Sequence, residues 1–288
     1  MRFYKYHGAG NDFVLLENLN GEIEEEAKAE LARVLCDRHF GVGADGLLLV
    51  ERSSRAEARF RYFNGDGSEA EMCGNGMRCF AKHLYDFGIV KREEMRIETL
   101  AGIINVKVFP HDGVVREVEV ELGAPRLLRR EIPALGEGRF LNQLLKVEDK
   151  ELRVSAVNTG VPHAVVFVED VESVDVHRLG RALRFHRLFP QGANVNFLQK
   201  LGENTFAVRT YERGVEGETL ACGTGVAACA AVVVLLGEAS PGKVVEIRAR
   251  GGTLFVRAQM RNGEVVNLRM RGPAKRVFRG ETEEIFEK

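Results

Sequence analysis

The sequence has no tryptophan, no Cys-x-x-Cys pair, no apolar run longer than 11 residues and almost no net charge. Each absence removes a class of protein. The longest apolar run, Val226 to Leu236, is too short to span a bilayer, which takes about 20 residues. The first residues, MRFYKYHGAGND, lack the apolar core of a signal peptide, so the chain reads as cytoplasmic and not membrane-bound. A formal charge of -1 leaves no basic footprint for nucleic acid, and any electrostatic recognition has to be local. The lack of tryptophan beside many Glu, Lys and Arg residues fits a heat-adapted protein.

Cysteine is scarce and odd in number: Cys36, Cys73, Cys79, Cys222 and Cys229. In a chain of 288 residues without an export signal this predicts free thiols, not a disulfide framework. Spacings of six (Cys73 to Cys79) and seven (Cys222 to Cys229) do not suit zinc, and no metal is expected.

What is present is a repeat. At an offset of 149 positions Cys73 falls on Cys222, Gly74 on Gly223, Gly76 on Gly225, Tyr62 on Tyr211 and Gly65 on Gly214. Upstream, Arg38, Phe40, Gly43 and Ala44 fall on Arg187, Phe189, Gly192 and Ala193. Two cysteine turns and their approaches in one register imply a duplicated domain, since solenoid units are far shorter.

The local patterns agree. Strands are expected at Phe13–Glu17, Leu47–Glu51, Arg59–Phe63, Ile103–Phe109, Val115–Leu122, Ala164–Val168, Thr205–Tyr211, Lys243–Arg248, Thr253–Ala258 and Val265–Met270. Helical spacing marks Glu24 to Arg38, through Ala27, Leu31, Val34 and Leu35. It also marks the stretch after Cys73, through Met77, Phe80, Ala81, Leu84 and Tyr85, closing near Gly88. Val226–Leu236 is apolar all round and, by its place in the repeat, predicts a buried helix. The fold class is therefore α+β: two pseudo-symmetric, mainly antiparallel β domains, each wrapped around a central helix, with the active site in the cleft between them. The expected halves are 1–120 and 121–274, the first joined by a C-terminal strand at about 275–288, and Leu127–Lys150 reads as a connection. Gly41-Val42-Gly43-Ala44-Asp45-Gly46 fits a dinucleotide fingerprint in letters only. The fingerprint needs strand, turn, helix, and here a helix precedes and a strand follows.

A helix N-terminus presents free N–H groups and partial positive charge. It lowers the pKa of a thiol placed there and can hold a carboxylate. Two such turns facing one another can cradle one carboxylate and place a thiol on either face of the carbon bearing it. That suits removal of an α-proton from one face and its return to the other, one cysteine as thiolate base and one as thiol acid. The developing enolate-like charge needs electrostatic stabilisation and exclusion of water. The bland alternative, that cysteine simply packs, holds for Cys36, Cys79 and Cys229, each inside a helical pattern. The duplicated context reverses it for Cys73 and Cys222.

Met72-Cys73-Gly74-Asn75-Gly76-Met77-Arg78-Cys79 and Ala221-Cys222-Gly223-Thr224-Gly225 resemble the diaminopimelate epimerase family. So do His7-Gly8-Ala9-Gly10-Asn11-Asp12-Phe13, the segment from Phe63-Asn64 to Ser68, Asn158-Thr159-Gly160 with Pro162-His163, Gly192-Ala193-Asn194-Val195-Asn196, and Tyr211-Glu212-Arg213-Gly214, all in family order. The resemblance implies a cofactor-independent, metal-free isomerase, often a homodimer, converting LL-2,6-diaminopimelate to the meso isomer in lysine and cell-wall precursor synthesis. It implies Cys73 and Cys222 as the acid/base pair, with His163 and Glu212 orienting the site or adjusting thiol acidity. It implies Gly74, Asn75, Gly223 and Thr224 as the carboxylate cradle, and Asn11, Asn64, Asn158, Asn194, Glu212 and Arg213 as substrate-binding. The last strand is implied to cross back to the first domain. The chemistry is consistent with a substrate carrying an amino acid centre at each end. Arg213 suits the far carboxylate, Glu212 the far ammonium, and asparagines donate and accept. Taken alone, the asparagines would read as turn residues, Glu212 and Arg213 as solvated surface groups, and His163 equally as a structural group or a site residue. Where some members carry glutamine this chain has Gly46, so that contact is not carried over.

Two alternatives are set beside this. Proline racemases and hydroxyproline epimerases would use the same two thiols, but typically have histidine at the position of Asn75 and a Ser-Pro-Cys-Gly second turn. A ring monocarboxylate would also leave Glu212, Arg213 and the asparagines without partners. A non-catalytic thiol redox or metal-binding protein would need Cys-x-x-Cys spacing, which is absent.

Overall fold

The structure, a computed structural model, describes residues 1–282. The last six residues of the strand expected at about 275–288 lie outside the described residues. The chain divides into two compact units, Met1–Val120 with the segment from Arg271 onward, and Glu121–Met270.

In the first unit β1 (Arg2–Gly8) and β2 (Asn11–Glu17) form a hairpin. Its turn, Ala9-Gly10, has positive φ at both residues (54° and 89°), the primed turn whose twist matches the strands. This places Asn11 at the hairpin mouth. Helix α1 (Lys28–Cys36) follows a single 3-10 turn at Glu25–Ala27 and buries Leu31, Ala32 and Leu35. Then come β3 (Gly46–Glu51), β4 (Ala58–Asn64), β5 (Glu69–Ala70), α2 (Gly74–Asp86), β6 (Glu94–Thr99), β7 (Gly102–His111) and β8 (Val114–Gly123). The glycine-rich stretch Gly41–Gly46 lies after α1 and before β3, the order that excludes the dinucleotide reading.

The second unit contains β9 (Phe140–Val147), β10 (Lys150–Asn158), β11 (Pro162–Phe167), α3 (Val176–Arg184), β12 (Asn194–Lys200), β13 (Thr205–Glu212), β14 (Gly217–Thr219), α4 (Gly223–Leu235), β15 (Val244–Ala249), β16 (Gly252–Arg261) and most of β17 (Glu264–Pro273), whose residues from Arg271 onward belong to the first unit. The final strand β18 (Lys275–Glu281) pairs antiparallel with β1.

Pairing repeats strand for strand. Antiparallel β1–β2, parallel β2–β3, antiparallel β3–β4 and parallel β4–β6 in one unit match β10–β11, β11–β12, β12–β13 and β13–β15 in the other. The offset is not constant throughout, however. Tyr62 lies opposite Leu48 whereas Tyr211 lies opposite Val195, so the second hairpin has two more residues between paired positions.

Every strand expected from the sequence is present, and so are the three helices. The Leu127–Lys150 stretch is a correction. It is part of the second unit's body, because β9 pairs with β10 and buries Phe140, Leu145 and Val147, while Ile132 and Ala134 join the same core. Its Gly and Pro residues mark turns, but the apolar positions between them alternate into that core. Helix α3 and strands such as β12 were not expected. The side chain of Asp175 caps α3 by accepting from Arg178 N at 3.0 Å, and Val176, Leu179 and Leu183 supply its buried stripe. Helix α4 is buried along Val226–Val234 among strands of the second unit. Among the described residues no helix is long and apolar enough to cross a membrane.

Candidate active site

Both cysteine turns are built as helix N-caps. Cys73 is extended (φ -139°, ψ 117°), its carbonyl accepts from Met77 N at 2.8 Å to start α2, and its Sγ accepts from Gly76 N at 3.4 Å. Gly8 of β1 passes so close that a Cβ there would lie 2.9 Å from Asn75 O. Glycine is therefore needed for the hairpin to approach the turn.

Around Cys73 an amide chain runs in one direction. Arg78, buried in α2, donates to Asn75 Oδ1 at 2.9 Å and also to Pro273 O at 3.1 Å. Asn75 Nδ2 donates to Asn11 Oδ1 at 3.1 Å, and Asn11 Nδ2 donates to Asp45 Oδ2 at 2.7 Å. A donor-only guanidinium at one end and an acceptor-only carboxylate at the other fix both amide orientations. Asn11 Oδ1 is thereby presented to Cys73 Sγ, 3.8 Å away. Asp12, Lys5, Arg38 and Asp45 brace the hairpin: Lys5 Nζ lies 2.7 Å from Asp12, and Arg38 bridges Asp12 and Asp45 at 2.8 and 2.7 Å. Burial pushes the Asp12 carboxyl up, but hydrogen bonds from Arg38 and Lys5 outweigh it and bring it down to about 2.

In the second unit Cys222 is the N-cap residue of α4 with the same extended backbone (φ -110°, ψ 108°) and its carbonyl accepts from Val226 N at 2.9 Å, but its side chain makes no capping hydrogen bond. Its Sγ lies 3.4 Å from Thr224 Oγ1. Thr224 Oγ1 lies 3.0 Å from His163 Nε2, and its backbone oxygen accepts from Thr159 Oγ1 at 2.8 Å. His163 is buried between β10 and β12, opposite Val157 and Asn194. Burial first, and the charge of Arg213 second, bring its pKa down to about 3, so the ring is neutral at physiological pH.

The structure thus joins Asn11, Cys73, Gly74 and Asn75 in one unit, and His163, Cys222, Gly223 and Thr224 in the other. The remaining candidates have local duties. Asn64 donates to Ser68 Oγ at 3.0 Å at the end of β4. Asn158 bonds Glu131 O and Gly160 N, both at 2.9 Å. Asn194 Oδ1 accepts from Arg213 N at 2.7 Å, and Glu212 Oε2 accepts from Thr219 Oγ1 at 2.8 Å. Arg213 donates to Gln191 O at 3.1 Å. Sequence reasoning passed over Arg78, Thr159 and Asn196. Arg78 had a readable signal: a cation on the buried stripe of a helix, one turn after the thiol.

The other thiols behave as packing residues. Burial pushes Cys36 and Cys79 up to about 12, and Cys229 is raised for the same reason. All five cysteines are free. Among the described residues no group of three His, Cys, Asp or Glu side chains could hold a metal ion.

A cysteine at a helix N-terminus, joined to a polar relay, occurs twice in one duplicated framework. The framework itself is a two-fold repeated α+β fold. Solved structures share it over almost the whole chain. A Bacillus anthracis phenazine biosynthesis protein of the PhzF family matches 99% of each chain with a TM-score of 0.74 at 17% identity. A hydroxyproline epimerase from Agrobacterium vitis matches 97% of this chain and 90% of its own with a TM-score of 0.70 at 19% identity. Within that fold the sequence is more specific. The family model for diaminopimelate epimerase matches residues 3–128 and 155–277. The diaminopimelate epimerase of Methanothrix thermoacetophila is 50% identical over 97% of this chain and 95% of its own. That of Caldanaerobacter subterraneus subsp. tengcongensis is 44% identical over 98% of this chain and 100% of its own. The chain belongs to the diaminopimelate epimerase family.

Proposed function

We propose that the protein epimerises LL-2,6-diaminopimelate to meso-diaminopimelate by a two-thiol proton transfer, acting in the cytoplasm as a homodimer. The observation that carries this reading is one N-cap thiol at each of two helix N-termini, in a chain whose relatives bear that name. The thiolate of one cysteine takes the α-proton and becomes a thiol. The thiol of the other returns a proton to the opposite face and becomes a thiolate. The substrate keeps its composition and inverts one centre, and the two protonation states of the protein are exchanged. The N–H groups of Gly74, Asn75, Gly223 and Thr224 hold the α-carboxylate and the charge that builds on it. Glu212, Arg213, Asn11, Asn64, Asn158 and Asn194 recognise the polar groups of the substrate, including the distal amino acid centre. His163 acts on Cys222 through Thr224.

The test is proton exchange: reduced protein, LL-diaminopimelate, deuterated water and chelator. Deuterium entering the α-position together with meso product supports the reading. Exchange with proline or hydroxyproline instead would replace it, and thiol-disulfide exchange without any α-exchange would favour a redox protein.

A further inference from the structure

The tautomer of His163 is determined by groups around it. Asn196 of β12 lies beside it, with Nδ2 3.0 Å from Ala164 O and 3.2 Å from His163 Nδ1. Its Oδ1 receives the Thr210 hydroxyl at 3.0 Å. A backbone carbonyl can only accept, so the amide must turn its nitrogen towards Ala164. The two amide hydrogens then go to Ala164 O and His163 Nδ1, and Nδ1 bears no proton. In a neutral ring the proton is therefore on Nε2, which donates to Thr224 Oγ1. The Thr224 hydroxyl, accepting there, has its own hydrogen left for Cys222 Sγ. Gly225 keeps Asn196 in place, because any Cβ at that position would overlap Asn196 Oδ1. Arg213 is a charged neighbour of His163, and Cys229 is a titratable neighbour of Cys222.

We propose that Asn196 is a positioning residue. It fixes the Nε2–H tautomer of His163, so that Thr224 donates to Cys222 Sγ and keeps this sulfur as the proton-accepting member of the pair at rest. The inference rests on the two-thiol reading for its meaning but not for its test.

In protein labelled with ¹⁵N-histidine, the ring signals of His163, assigned by their loss in His163→Gln, should show a bare Nδ1 and a protonated Nε2 at pH 7. Asn196→Asp, which places an acceptor there, should move the proton to Nδ1. A wild-type ring protonated on Nδ1, or on both nitrogens, overturns the proposal. Iodoacetamide labelling of Cys222 at pH 7, read by peptide mass spectrometry, supplies a second arm. Thr224→Val should slow it about tenfold, the worth of one hydrogen bond, and Thr224→Ser should keep the wild-type rate. An unchanged rate in Thr224→Val overturns the relay even if every variant folds. Neither arm uses diaminopimelate, so failure of α-proton exchange with these signatures intact would refute the substrate reading alone.

Discussion

Helices α2 and α4 start with the same device and continue differently. Each opens at a cysteine N-cap followed by glycine, and each runs for 13 residues in the same place of a repeated sheet order. Yet α4 is apolar throughout its buried body, while α2 buries Arg78, Lys82 and His83. Each buried polar group of α2 is partnered: Lys82 with Asp86 at 2.6 Å, His83 with Glu17 and Tyr6 at 3.0 Å, and Arg78 with Pro273 O and Asn75. At the repeat offset Arg78 meets Ala227. Burial opposes the charge of Arg78, while the Cys79 and Cys73 sulfurs favour it. The first thiol is thus supported by a permanent cation acting through asparagines, the second by a neutral histidine acting through a hydroxyl. Duplication kept the strand pairing and the caps, and let the supporting chemistry diverge.

The largest effect should ignore this difference. Cys73→Ala and Cys222→Ala should each lower α-proton exchange with meso product by about 10³-fold or more, since each removes a general acid/base. Substantial epimerisation surviving in either variant would break the symmetry of roles and point to a one-base reaction.

Next comes the cation. Arg78→Met should lower kcat/KM about 10- to 100-fold by releasing the orientation of Asn75 and Asn11, with a charge-assisted hydrogen bond lost. Arg78→Lys should not restore it, because Pro273 O and Asn75 Oδ1 are held by two different nitrogens of the planar guanidinium, Nε and Nη2, which one ammonium does not reproduce. Recovery in the lysine variant would reduce the role of Arg78 to charge alone.

The caps, the repeat and the thiols were legible because they depend on short motifs whose physics is local. The supports were not. Asn196 is an ordinary polar residue in a β-rich run until β11 and β13 bring Ala164, His163 and Thr210 against it. Arg78 was quoted within a motif, but its partner Pro273 O is 195 positions away. Strand β12, buried on both faces, lacks the alternation that marks half-buried strands, and two asparagines weaken its β signal. The Leu127–Lys150 stretch looked like a linker because its apolar positions are spaced by turns and so have no single period.

The glycines sharpen the comparison on the stability side. A Cβ at Gly225 meets Asn196 Oδ1, part of a fixed polar cluster, whereas one at Gly76 lies 3.2 Å from Leu48 Cδ2, the end of an adaptable side chain. Gly225→Ala should therefore cost about 2 kcal/mol by chemical denaturation and slow the reaction, and Gly76→Ala should stay within about 1 kcal/mol of wild type. Equal costs would mean that the two turns are equally tight.

The smallest effect concerns the histidine. In the unfolded chain it titrates near the ordinary histidine value of 6.5, and in the folded protein only at about 3. Above pH 6.5 both states are neutral and its contribution to stability is complete. Below that the unfolded state binds a proton that the folded state refuses, so stability falls as pH drops from 6.5 towards 3. Asp12 acts in a lower window. Its folded value of about 2 against an ordinary value of 3.8 gives stability that is lost only below about 4. Denaturation midpoints of wild type and His163→Gln, measured from pH 7 to pH 4.5, should diverge at pH 7 and converge as the pH falls, because the variant has no ring to protonate. Parallel curves would mean that the ring takes up its proton at the same pH in both states, and a gap that widens as the pH falls would mean that His163 is charged in the folded protein. The second thiol would then rest, like the first, on a cation, and the contrast between the two halves would disappear.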